Sequence, residues 1–193
     1  QYLVIYLISS ALKNIVYAIF GVSIILSNNA SNIFNNNSFW FRQINKFVEN
    51  VRDIYQSLPE SGELVVYDLC CGKSYLSFAV YHYFANVLGR RVEMSGVDLK
   101  PDVVEHCNAA AKKLGFDGLQ FLCMDVKEFD VSEPVHLVIS LHACDIATDL
   151  VLGKALEWRA DVILSTPCCH HEMNHMLDCS ALSFIAEHSM LRQ

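Results

Sequence analysis

From residue 64 onward the chain alternates short apolar runs with helix-like stretches, and this alternation restricts the fold more than anything else in it. The runs cover 64–69, 91–99, 119–125, 135–142 and 161–167. Between them lie a stretch at 74–89 closed by Gly89, one at 102–114 closed by Gly115, one at 147–157, and a last one at roughly 172–190. Strands that alternate with helices imply parallel pairing through right-handed crossovers. The runs are apolar throughout rather than at every second residue, as strands covered on both faces are. The expected architecture is a three-layer α/β fold with a doubly wound parallel sheet. Ahead of it, residues 39–58 predict an amphipathic helix: Trp40, Ile44, Phe47, Val48, Val51, Ile54, Tyr55 and Leu58 recur at three- and four-residue steps, and Pro59 ends the pattern.

Three of the strands close on acids. The first leads into Asp68-Leu69-Cys70-Cys71-Gly72-Lys73-Ser74. A tight turn there lets the backbone approach a ligand, and the next helix offers free N–H groups. A dinucleotide fingerprint needs G-x-G-x-x-G, but this loop holds Gly72 alone, with small residues at Cys70 and Ser74. The phosphate-loop spacing is missing too. The turn suits a ligand that lays a carboxylate and an amine against it, as a methionine moiety does. Asp98 ends the second strand, where a carboxylate accepts hydrogen bonds from both hydroxyls of a ribose. Asp125 ends the third, in reach of an adenine amino group. Leu99 and Val126, next in the chain, are taken with them as ligand contacts. Three acids on successive strand ends point to a nucleoside cofactor.

The last two strands end in Ser140-Leu141-His142-Ala143-Cys144-Asp145 and in Thr166-Pro167-Cys168-Cys169-His170-His171-Glu172. Both ends lie on the rim where substrate meets cofactor, so His142, Asp145, Cys168 and His170 are the candidate catalytic residues. The dense Cys/His run admits three readings. Zinc uses these ligands, but adjacent ligands seldom converge on one tetrahedral ion and no C-x-x-C is present. A thiol can act as nucleophile when its pKa is lowered. The favoured reading has no metal: Pro167-Cys168-Cys169 shapes the rim, while His142 or His170 orients substrate or takes its proton. His82, His106, His136 and His188 are read as surface or core residues.

These strings resemble a known family. Phe41-Arg-Gln-Ile-Asn-Lys-Phe, Asp68-Leu-Cys-Cys-Gly-Lys-Ser-Tyr-Leu-Ser-Phe, Gly96-Val-Asp-Leu-Lys, Leu141-His-Ala-Cys-Asp-Ile-Ala-Thr-Asp and Pro167-Cys-Cys-His-His-Glu are similar to class I S-adenosylmethionine-dependent methyltransferase-domain proteins. That group includes the glutathione-S-transferase-C-terminal-domain-containing protein and methyltransferase-like proteins. Within the last two, His142-Ala-Cys-Asp-Ile-Ala-Thr-Asp and Pro167-Cys-Cys also resemble a eukaryotic tRNA 2'-O-methyltransferase family. The resemblance runs from about residue 39 to 178. It implies a Rossmann-like fold with strand order 3-2-1-4-5 and S-adenosyl-L-methionine as cofactor. On the matching positions it puts Asp68, Gly72 and Ser74 at the methionine end, Asp98 at the ribose and Asp125 at the adenine. The family's usual Asp-Phe-Gly-Cys-Gly is Asp-Leu-Cys-Cys-Gly here, so Cys70 stands where a glycine is expected. The family's closing two-strand hairpin is expected to be missing. The implied reaction is methyl transfer to an N or O nucleophile, with RNA or tRNA as the substrate class. Two other readings stay open: a degenerate fold that binds a partner without catalysis, and a nicotinamide-dependent oxidoreductase, which the single glycine disfavours.

Charge narrows the partners. The net charge is −7, and Lys13 is the only charged side chain before Arg42. So acidic a body excludes a large basic nucleic-acid surface. Residues 1–26 are almost wholly apolar, long enough to span a bilayer, but Lys13 sits in the middle at a cost of about 2.5–3.5 kcal/mol. A buried or partner-packed segment is the preferred reading, followed by an Asn-rich linker at 27–38; the methyltransferase domain is then 39–193. The matches to the glycosylation sequon at Asn29 and Asn36 are set aside. The first residue is Gln, and both ends are read as cut. The eight cysteines include two adjacent pairs at strand ends, a poor disulfide framework, and are read as reduced thiols of a cytoplasmic protein.

Overall fold

The computed structural model describes residues 39–166 except Glu133, His142, Cys144 and Asp145, and for 39–42 the backbone alone. Helix α1 (Phe39–Ile54) runs into a short 3-10 turn, Tyr55–Ser57. Strands β1 (Leu64–Leu69), β2 (Val92–Asp98), β3 (Leu119–Cys123), β4 (Leu137–Leu141) and β5 (Val162–Thr166) alternate with helices α2 (Tyr75–His82), α3 (Pro101–Leu114) and α4 (Ile146–Glu157). The strands form one parallel sheet in the order β3-β2-β1-β4-β5. The expected doubly wound sheet and its strand order are thus both present. The order reverses between β1 and β4, and a crevice opens beyond the carboxyl ends of strands at such a point.

Two apolar layers hold the sheet. One face packs on α1, α2, the turn after α2 and α3 through Val51, Phe78, Val80, Phe84 and Ala110, all fully buried, with Leu64, Met94 and Ile139 from the strands. Fully burying one such side chain contributes about 1.5–3 kcal/mol. Phe78 stacks tilted on Phe121 and Phe116, at 5.4 and 6.2 Å between ring centres. The other face is covered by α4 and the β3–β4 connection. There Tyr67, Phe129 and Trp158 meet in a triangle of 5.5–5.6 Å contacts, and the Trp158 indole N–H donates to Asp130 at 2.9 Å.

Local chemistry sets the boundaries. Pro101 opens α3 at a position where its missing N–H costs nothing, and Gly115 closes it at φ 69°. The helix expected at 74–89 is regular only to His82. A π turn follows at Tyr83–Val87, with the Leu88 N–H donating to the Tyr83 carbonyl at 3.0 Å. Edge strand β3 is closed off by Asn108 of α3, whose amide both donates to and accepts from the Phe121 backbone at 2.8 and 2.9 Å. Strand β3 ends at Cys123 rather than at 125.

Residues 1–38, the last helix expected at 172–190, and the closing hairpin lie outside the described residues. Among the described residues, no helix is long and apolar enough to cross a membrane.

Candidate active site

The turn from β1 to α2 is folded back on the end of β2. The Cys71 N–H donates to the Val97 carbonyl at 3.1 Å, and the Gly72 N–H to Asp98 Oδ2 at 2.8 Å. The Lys100 N–H donates to Asp98 Oδ1 at 3.1 Å. One carboxylate at the end of β2 therefore fixes both the turn and the entry to α3. Three residues of the turn have left-handed backbones: Cys70 (φ 60°), Gly72 (φ 52°) and Ser74 (φ 58°). Glycine adopts this shape without cost, whereas a side-chain-bearing residue costs about 1–2 kcal/mol. The turn thus keeps a glycine-type path although two of the three residues carry a Cβ.

Above the turn lies a cavity of about 480 Å3, lined by Asp68, Cys70 to Ser74, Tyr75, Leu76, Ile44 of α1 and Leu141 at the end of β4. Four of the expected cofactor residues, Asp68, Cys70, Gly72 and Ser74, share its wall. Asp68 is its buried charge, only 2% exposed. Ser77 of α2 donates to Asp68 Oδ2 at 2.5 Å. Burial pushes the Asp68 carboxyl up to about 7, against the pull of the Ser77 hydrogen bond and with Asp98 pushing the same way. No cation among the described residues offsets it; Lys73 stands at the rim with its side chain exposed. Burial, then Asp98, pushes the Cys70 thiol up to about 11. Burial likewise holds the Cys71 thiol far above its ordinary value. Neither is an activated nucleophile.

The remaining expected residues sit apart from the cavity wall. Asp98 is bound to the turn as described, and the Leu99 side chain beyond it is 65% exposed. Asp125 does not end β3; it lies two residues past Cys123. There its carboxylate accepts the Lys127 N–H at 2.9 Å and its carbonyl accepts from Glu128 and Phe129. The chain is already turning at Asp125, so the strand stops earlier than its apolar run suggests. Asp125 still acts on Cys70 electrostatically, so it stands near the same sheet edge. Val126 is buried in the apolar layer with Val97 and Phe129. His142, Asp145, Cys168 and His170 lie outside the described residues, as does the Cys/His run. Among the described residues no cluster could hold a metal ion, and Cys70, Cys71, Cys107 and Cys123 are free thiols. His106 is exposed, His136 accepts the Val65 N–H at 2.9 Å, and His82 stacks on Phe116.

Sequence reasoning did not single out Ile44, Tyr75, Leu76 or Leu141 as cavity residues, nor Ser77 as the partner of Asp68. One signal was there for Ser77: a serine inside a helix whose neighbours are all apolar needs a polar partner.

The comparisons agree with this architecture. A candidate RNA methyltransferase from Pyrococcus horikoshii superposes with a TM-score of 0.51 at 21% identity, over 75% of this chain and 68% of that one. That likeness is one of fold. Coclaurine N-methyltransferase, bound to N-methylheliamine and SAH, gives a TM-score of 0.49 at 14% identity, over 78% and 48% of the two chains. In sequence, the chain is 22% identical over 123 residues to the glutathione S-transferase C-terminal domain-containing protein of Xenopus laevis. This stretch is 64% of the chain but spans only 19% of that relative's length. The model of the family described as "Methyltransferase domain" matches residues 40–176, from the first helix past the last described strand. With a match over more than half its length, the chain belongs to the methyltransferase-domain family and carries its Rossmann-like class I fold.

Proposed function

We propose that the chain binds S-adenosyl-L-methionine at the β1–α2 turn and transfers its methyl group to an N or O nucleophile on RNA. The observation that carries this reading is the buried Asp68 carboxylate, without a cationic partner among the described residues, on the wall of a cavity at the β1–β4 switch point. A buried acid of this kind is compensated by a ligand that brings a positive charge. The cofactor carries an ammonium and a sulfonium, and its methyl group is the electrophile.

The residues present fit such a guest. Asp68 is the counter-charge for its cationic end. The left-handed turn at Cys70, Gly72 and Ser74 keeps the backbone low under the cavity. Asp98 stays half-exposed while it holds the turn, and Leu99 offers an uncovered apolar side chain next to it. Methyl transfer asks the protein chiefly for in-line positioning and, for a protonated acceptor, a base. In this reading His142, Asp145, Cys168 and His170, which follow β4 and β5 in the chain, supply the acceptor rim.

RNA as acceptor, with tRNA its first candidate, is supported by the resemblance of the 142–149 and 167–169 strings to tRNA 2'-O-methyltransferases. With a net charge of −7, the target is small or is presented by another domain or partner. The test is transfer of a tritiated methyl group from S-adenosylmethionine to purified tRNA, total RNA and a protein extract. Label in RNA that needs His142 supports the reading. Label confined to protein refutes RNA as acceptor; no label in any fraction refutes catalysis by this chain and leaves a binding module.

A further inference from the structure

A buried hydroxyl stands behind the cavity wall. Ser77 lies in the first turn of α2, fully buried, three residues after the loop residue Ser74. Its neighbours Leu76, Phe78, Ala79 and Val80 are buried and apolar. Its hydroxyl spans the gap to β1 and donates to Asp68 Oδ2 at 2.5 Å. Asp68 in turn lines the cavity, while Ser77 does not.

We infer that Ser77 is a positioning residue for this site: it fixes the Asp68 carboxylate against the cavity and keeps it charged for a cationic ligand. The inference rests on the cofactor reading given above. A serine in a helix can satisfy itself by bonding back to a carbonyl of the preceding turn. Here the hydroxyl is spent on the acid instead, which orders one carboxylate oxygen. A hydrogen bond to a carboxylate favours its charged form. The titratable groups around Asp68 are Asp98 from β2, which pushes its carboxyl up, and the Cys70, Cys71 and Cys107 thiols from the turn and α3, which the Asp68 charge itself pushes up. All are acids or thiols, so among the described residues Ser77 alone works to keep Asp68 ionised. A role confined to packing α2 on β1 would leave ligand binding with the same pH dependence when the hydroxyl is removed.

The experiment is calorimetric titration of S-adenosylhomocysteine, which shares the cofactor's amino-acid end, into wild type, Ser77→Ala and Ser77→Cys, from about pH 5.5 to 8. In wild type, affinity rises through a midpoint near 7, where Asp68 ionises. In Ser77→Ala the midpoint moves up by about one pH unit, with an affinity loss of about tenfold on the acid side that shrinks at high pH. Ser77→Cys, close in volume but a weaker donor, moves it by less, and it serves alone if the alanine variant does not fold. An unchanged midpoint in the variants, or no pH step in wild type, overturns the inference while leaving cofactor binding standing. No binding by wild type at any pH overturns the cofactor reading itself.

Discussion

Replacing Asp68 by Asn removes the one buried charge of the cavity, and its effect on stability should reverse the usual expectation for losing a hydrogen-bonded acid. The folded-state carboxyl titrates at about 7 and the ordinary value is 3.8. A folded pKa raised in this way means that Asp68 favours folding fully below about 3.8. That contribution is lost as pH rises through about 7, because the buried carboxylate then has to be charged without a cation. At about 1.4 kcal/mol per pH unit, the interval corresponds to about 4 kcal/mol. This is an upper bound, since water entry and relaxation soften a buried charge. The Asn side chain is the same size, and its carbonyl oxygen still accepts the Ser77 hydroxyl. Urea unfolding of both proteins at about pH 4 and about pH 8 measures the difference, and other carboxylates cancel because both proteins carry them. Near pH 4 the two should be equally stable within about 1 kcal/mol. Near pH 8 Asp68→Asn should be the more stable by at least about 1.5 kcal/mol. A variant that is less stable at pH 8, or a difference that does not change with pH, would refute the burial argument.

Other outcomes follow from the same geometry. Cys70 at φ 60° should accept glycine with a change under about 1 kcal/mol, as relieved strain offsets chain entropy, whereas Cys70→Val should cost more than about 1.5 kcal/mol in thermal or urea unfolding. Gly118→Ala would put a Cβ 2.1 Å from the Val92 carbonyl oxygen, a backbone atom, so about 2–3 kcal/mol should be lost in urea. Gly96→Ala meets the Phe121 ring at 2.4 Å, a ring locked by Phe78, and should cost about 1–3 kcal/mol. With iodoacetamide at about pH 7.5, mass spectrometry should find exposed Cys123 labelled well before Cys70, whose thiol is pushed up to about 11.

How far the sequence carried depended on the element. Strand β1 was legible to both ends, because the run 64–69 is wholly apolar but for Asp68 and is stopped by a turn. Helix α3 announced itself with Pro101 and Gly115. The π turn at Tyr83–Val87 did not, since α2 is apolar on every side and loses the periodicity that would mark a break. Strand β3 was read two residues too long because Met124 prolongs the apolar run while Asp125 has already begun the next turn. In the site, Asp98 was legible as strand-end punctuation, whereas Asp68 stands one residue inside β1 and Asp125 two residues past β3. The shape of the turn was not legible: only glycine advertises a positive φ, and Cys70 and Ser74 adopt one without a sequence signal. Ile44 and Leu141 reach the cavity from elements distant in the chain, a juxtaposition that periodicity cannot reveal.

The central claim is that the turn strapped to Asp98 is a seat for S-adenosylmethionine. Calorimetric titration of S-adenosylmethionine into the wild type and into Asp98→Ala, which frees the Gly72 and Lys100 N–H groups, addresses it most directly. The account predicts one binding site per chain in the wild type and a loss of at least about tenfold in affinity in the variant. Equal affinity in the two proteins, or no heat of binding in the wild type, would contradict it.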